Sequence, residues 1–136
     1  MSACTSAVDL ALSPDGTILA AACEDGTLAL WDTRTARRSG ELRSVLLGLH
    51  SVGISPDGKR VAAGSNGKEA IKIWDLNSHE EVATLEGKGS YFASTTFSPD
   101  GNALGARNWN GMLHLWRAPT WGEIEAAEQA RGSVRP

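Results

Sequence analysis

The sequence predicts an all-β chain of three repeated four-stranded antiparallel sheets, and two observations predict it. A Ser-Pro-Asp-Gly turn occurs three times, beginning at Ser13, Ser55 and Ser98, 42 and 43 residues apart. Tryptophans close each unit at Trp31, Trp74 and Trp116, 43 and 42 residues apart. Two independent markers with one period define an internal repeat. A period of this length means stacked units that bury a shared core.

Each unit reads as four strands in the same order. The first precedes the turn: Val8 to Leu12, Leu49 to Ile54, and Tyr91 to Phe97. Proline has its φ already fixed for the first corner of the turn, aspartate tolerates the second, and Gly16, Gly58 and Gly101 take the left-handed position. The second strand is short and rich in small residues: Ile18 to Cys23, Arg60 to Ser65, Ala103 to Arg107. Small side chains there let neighbouring sheets approach closely. The third strand alternates and carries the tryptophan: Thr27 to Trp31, Ala70 to Trp74, Met112 to Trp116. A fourth strand follows in two units only, Arg38 to Leu42 and Glu81 to Leu85, which makes eleven strands in all.

After Trp116 the pattern breaks. Ala118-Pro119 stops the strand, and Thr120 with Glu123 three residues on forms a capping-box signal. A short helix is expected over Trp121 to Gln129, with Trp121 and Ile124 covering the outer part of the last sheet, and then a frayed tail. The expected organisation is residues 1–117 as the repeat segment, with units at about 7–42, 49–85 and 91–117, and residues 118–136 as helix and tail.

The 136 residues carry a net charge of −3 with scattered basic residues, which gives no footprint for nucleic acid. No stretch is long and apolar enough to predict a membrane span. Cys4 and Cys23 are too few for a disulfide framework or a zinc site. Reduced thiols in a cytoplasmic protein are the expectation, with Cys23 as a small core residue and a Cys4–Cys23 bridge left open.

Three units of this period, each with the Ser-Pro-Asp-Gly hairpin and a terminal Trp31-Asp32, Trp74-Asp75 or Trp116-Arg117, resemble the WD-repeat β-propeller family. The resemblance covers Ala7 to Arg117. It implies an all-β partial propeller of three four-stranded antiparallel blades, the last lacking its own outer strand, with a short C-terminal helix. The repeat residues Gly16, Gly58, Gly101, Trp31, Asp32, Trp74, Asp75 and Trp116 would then build scaffold. The family often carries a Gly-His pair before the inner strand, whose histidine bonds an aspartate in the turn between strands two and three. Here Gly87-Lys88 and Asn110 stand at the matching places in the third unit, and only Asp25 keeps the aspartate. That polar network is expected to be absent or rewritten.

Three blades cannot close a ring. The resemblance therefore implies the C-terminal part of a larger propeller, a pair of copies making six blades, or a remnant without independent function. The tail APTWGEIEAAE resembles the end of bacterial propellers attached to signalling chains, often serine/threonine kinases.

The expected function is a non-catalytic scaffold for protein partners, with no cofactor and no metal. Catalysis needs converging groups, and none recur here. Asp15, Asp57 and Asp100 are explained by their turns. His50 could face a channel, His79 lies in a turn, and His114 is expected to face outward. An enzymatic propeller of metal-dependent hydrolase or lactonase type is the competing class, but only Asp9 and His50 stand on the inner strands for it. The candidates for partner contact are Trp109, in a non-repeating turn, and Arg43, Lys68 and Lys88, all on one rim. Tryptophan is enriched in binding hot spots.

Overall fold

A computed structural model describes residues 4, 6–43, 48–66, 70–88, 91–118, 126 and 129. Eleven strands form three antiparallel meanders. The first sheet has the order β1 (Ala7–Leu12), β2 (Ile18–Cys23), β3 (Thr27–Asp32), β4 (Arg37–Arg43). The second has β5 (Ser51–Ile54), β6 (Arg60–Gly64), β7 (Ile71–Asp75), β8 (Glu81–Leu85). The third has β9 (Phe92–Phe97), β10 (Ala103–Asn108) and β11 (Leu113–Arg117). Strand bounds differ from the expected ones by a residue or two. Lys68, Trp121, Ile124 and the capping box at Thr120 lie outside the described residues.

The Ser-Pro-Asp-Gly turns fold by one local scheme. Gly16, Gly58 and Gly101 have φ of 77°, 73° and 76°, which glycine adopts without strain. Each donates its N–H to the serine carbonyl, as Gly16 does to Ser13 at 2.8 Å. The aspartate locks the corner from the side: Asp15 accepts the Thr17 N–H at 3.0 Å and the Ser13 hydroxyl at 2.7 Å. Asp57 and Asp100 repeat this with Lys59 and Ser55, and with Asn102 and Ser98.

The fourth strand depends on a second aspartate. Asp32 accepts the Arg34 N–H at 2.8 Å, and Asp75 accepts those of Asn77 and Ser78, so both carboxylates turn the chain from the third strand into the fourth. The third sheet has Arg117 at this position, a side chain with no acceptor. Among the described residues no strand pairs with the outer edge of β11.

The sheets stack through their inner strands, β1 against β5 and β5 against β9. Alternation gives each sheet a front face, toward the preceding sheet, and a back face, toward the following one. The back of the first sheet (Ala20, Ala22, Leu28, Leu30) and the front of the second (Val52, Val61, Ala63, Trp74) form one core cluster. The back of the second (Ala62, Ile71) and the front of the third (Phe92, Leu104, Ala106) form the other. Polar bonds cross both seams. Asp9 accepts the Val52 N–H at 3.0 Å, and the Ser51 hydroxyl reaches the Phe92 carbonyl at 2.9 Å and the Thr95 hydroxyl at 2.6 Å.

The reduced-thiol expectation is corrected. Cys4 and Cys23 form a disulfide, their Cα atoms 5.6 Å apart. The pairing of Ala7 with Cys23, and of the Glu24 N–H with the Ser6 carbonyl, carries the N-terminal segment alongside the end of β2.

Candidate functional site

Two kinds of surface stand out, the uncovered outer sheet faces and one rim. Repeat positions align as Leu28, Ile71, Leu113 and as Leu30, Ile73, Leu115 on the back faces. Leu28 and Ile71 are fully buried, whereas Leu113 is 82% and Leu115 75% exposed. On the front faces Leu10 aligns with Val52 and Thr95. Leu10 is 58% exposed, and Val52 and Thr95 are 5% and 7% exposed. Leu12 aligns with Ile54 and Phe97, and it too is exposed while they are half-buried. The outer faces therefore carry the residues of a sheet-to-sheet interface, and among the described residues nothing packs on them. A buried leucine side chain is worth roughly 1.5–3 kcal/mol, so these faces hold substantial unused apolar free energy.

The rim is built where the turns between second and third strands meet the connectors between sheets. Asn108, at the end of β10, is fully buried. Its amide donates to the Lys88 carbonyl at 2.9 Å and its carbonyl accepts the Met112 N–H at 2.9 Å. This grip fixes the turn that presents Trp109, whose own N–H bonds the Tyr91 carbonyl at 2.9 Å. The Trp109 ring is 65% exposed and stacks on Tyr91 with centroids 5.4 Å apart. Tyr91 packs on His50 at 4.3 Å, and His50 shares a 2.9 Å hydrogen bond with Asn66. The result is a three-ring ladder across the second and third sheets.

Other predicted positions fall as follows. Lys88 is exposed, its N–H bonded to His114 at 3.2 Å. Arg43 pairs in register with Thr27 at the edge of the first sheet. The Asp25 carboxyl beside it is held below its ordinary value, chiefly by the Thr27 N–H at 2.9 Å and secondarily by the Arg43 cation. Trp74 is buried, while Trp31 and Trp116 are half-buried, Trp31 with the Arg38 guanidinium 5.8 Å from its ring.

His114 is corrected. It does not face outward: its half-buried ring meets Phe92 edge-on at 4.9 Å and stacks on Trp116 at 5.6 Å. Lys72, at the same repeat position, is also buried, with its ammonium 2.9 Å from the Thr84 hydroxyl and 3.2 Å from the Glu81 carboxylate.

A cleft of about 720 Å³ opens between the second and third sheets, lined by Arg60, Ile73, Leu85, Phe97 and Trp116. Between the first two sheets the corresponding residues Leu42, Trp74 and Leu76 belong to the packed core. Among the described residues no group of three histidine, cysteine or acidic side chains could hold a metal, and no helix is long and apolar enough to cross a membrane.

Residues 1–32 match the WD domain, G-beta repeat family. The small ribosomal subunit protein RACK1y of Oryza sativa subsp. japonica is 30% identical over 120 residues, 83% of this chain and 35% of that protein. The chain belongs to the WD-repeat family. Its three sheets are WD-repeat blades, and the guanine nucleotide-binding protein subunit beta-5b of Danio rerio is similarly related, 31% identical over 105 residues covering 76% of this chain and 26% of that one. The chain spans between about a quarter and about a third of the length of the curated relatives it matches. A chain of the Kuenenia stuttgartiensis Hydrazine Synthase superposes with a TM-score of 0.75 over 82% of this WD-repeat chain and 32% of its own, at 19% identity, which shows a shared fold.

The polar network of this WD-repeat chain is rewritten. In the third blade Asn108 and His114 grip the two sides of Lys88. In the second the buried Ser65 hydroxyl holds the Gly48 carbonyl at 3.0 Å. Sequence reasoning missed Asn108, Lys72 and the Tyr91 ladder because none repeats. A buried polar residue at a position held elsewhere by Cys23 and Ser65 was the one available signal.

Proposed function

We propose that the chain is a non-catalytic protein-interaction module and one segment of a larger propeller. The observation that carries this is the alignment of Leu28, Ile71 and Leu113: one interface position, covered twice and bare once. Both outer faces have the pattern of the interior seams, so the natural occupant of each is another blade. Further blades of a longer propeller and a second copy each offer such a face, and a remnant would leave it bare. The rim ladder ending in Trp109, with Lys88 beside it and Arg43 at the edge of the first sheet, is the surface for a separate protein partner.

Support for the module reading comes also from the relatives. By name, one belongs to a small ribosomal subunit and another is a subunit of a guanine nucleotide-binding protein. An enzymatic reading needs acid, base or metal-ligating groups that converge. Asp9 is committed to the Val52 N–H and His50 to Asn66 and Tyr91.

Sedimentation velocity on the purified chain tests the reading. Concentration-dependent association is expected, and replacing both Leu113 and Leu115 with aspartate should suppress it. A chain that stays monomeric throughout, with hydrodynamics unchanged by those substitutions, would overturn it.

A further inference from the structure

The back face of the third blade is not a plain copy of the two interior ones. Near the inner strand the interior back faces present Ala22 and Gly64, both buried. Gly64 has no room for a side chain. A Cβ there would touch Ser51 within its own blade, and would lie 2.7 Å from the Phe92 carbonyl and 2.9 Å from the Thr95 hydroxyl of the next. In the third blade the same repeat position is Arg107, which is exposed and makes no ion pair among the described residues.

The interior seam shows what Arg107 would meet. Position 64 faces position 95 of the following blade, and Thr95 aligns with Leu10 of the first blade. A second copy docked by the interior geometry would therefore set Arg107 against Leu10 and Ala7. That contact sets the guanidinium against an apolar patch with no carboxylate opposite it, which weakens docking of an identical copy without cancelling what the leucines around it contribute. Glu41, in cross-strand line with Leu10, lies at the other edge of that face and is engaged by Arg38 at 2.7 Å.

Resting on the reading that the bare faces receive blades, we propose that the back face of the third blade takes a non-identical blade carrying a carboxylate at the repeat position of Leu10, Val52 and Thr95, which pairs with Arg107. The apolar half of the face, Leu113 and Leu115, supplies contact area, and Arg107 selects the partner. Charge complementarity at a mostly apolar seam excludes wrong partners more than it adds affinity. The identical copy, which offers Leu10 at that place, associates only weakly because this arginine disfavours it.

The chain itself supplies the probe. Leu10→Glu places the missing carboxylate on the front face of the first blade, where Arg107 of another copy would meet it. By apolar contact alone this change weakens self-association. By charge pairing it strengthens it about tenfold at low salt, with the gain lost at high salt. The gain should vanish when Arg107→Gln is added, and Leu12→Glu, further from position 107, should weaken association. Sedimentation velocity reads the midpoints, and tryptophan fluorescence checks that each variant is folded. Weaker association of L10E than wild type, or a gain that survives R107Q, overturns the proposal. So does a wild-type dimer that R107Q leaves unchanged. If association fails to depend on Leu113 and Leu115 at all, the larger-propeller reading falls instead.

Discussion

The middle blade and the two flanking ones are written in one repeat and differ in what covers them. Ile71 and Val52 of the middle blade are buried on opposite faces, whereas Leu113 and Leu10, in the same repeat positions, are mostly exposed. Turn and register are alike, and the local difference is that β11 lacks the outer strand that β8 supplies to β7 among the described residues. Burial in this architecture is a property of having a neighbour. The difference teaches that each blade contributes half of two interfaces and that its stability is largely held in common with adjoining blades.

The closing tryptophans offer the largest way to break that contrast. Trp74 lies in the core between the first two blades, while Trp31, in the same position, lies on the uncovered front face. Trp74→Ala should cost about 3–5 kcal/mol, the range for removing a large buried aromatic. Trp31→Ala should cost no more than about half of that, because among the described residues its ring has Arg38 and its own sheet to lose. Urea denaturation followed by circular dichroism measures both. Equal losses would mean that the first blade's front face is covered after all.

Glycines sharpen the comparison at smaller scale. Gly64 lines a closed seam, and Gly64→Ala should destabilise the chain by about 1–3 kcal/mol through overpacking against the Phe92 carbonyl. Gly105 is the third blade's counterpart of the buried Ala20 and Ala62. A Cβ there meets only a Thr96 methyl at 3.9 Å. Gly105→Ala should be neutral or stabilising by a few tenths of a kcal/mol, since alanine restricts the unfolded chain. Opposite signs at the two glycines, read from urea midpoints, would locate the last closed seam between the second and third blades.

Much of the fold was legible because it repeats. The turns and the closing tryptophans mark all three sheets, and strand alternation assigns every face. What stayed hidden is what occurs once. The Cys4–Cys23 bridge depends on how far the chain runs alongside β2 beyond Ala7, which composition does not reveal. His114 was misplaced because an imidazole between two leucines reads as one of a polar pair, whereas Phe92 and Trp116 give it an aromatic bed. Trp109 could be located in its turn, but the Tyr91–His50 stack beneath it joins two blades and has no local signature. Arg107 is the sharpest case. It reads as an ordinary strand residue until its alignment with Gly64 shows what must face it.

The smallest expected effect is one that ignores neighbours, and so serves as the control. The turn carboxylates titrate the same way in covered and uncovered blades. Asp15 is held down to about 2 from 3.8, first by the Thr17 N–H, then by the Ser13 and Thr17 hydroxyls. Asp57 and Asp100 are also lowered, first by the Ser55 and Ser98 hydroxyls. A lowered folded pKa means that the unfolded chain binds more protons, so stability falls as pH drops. The contribution is complete above about 4 and is lost on descending toward about 2. These turns are exposed, which keeps each contribution small. Asp15→Asn and Asp57→Asn should each flatten the acid limb of the urea midpoint against pH, and by similar amounts. A markedly steeper dependence on Asp57 would show that the middle blade's neighbours reach its turn, and that the turns are not the independent units their hydrogen bonds describe.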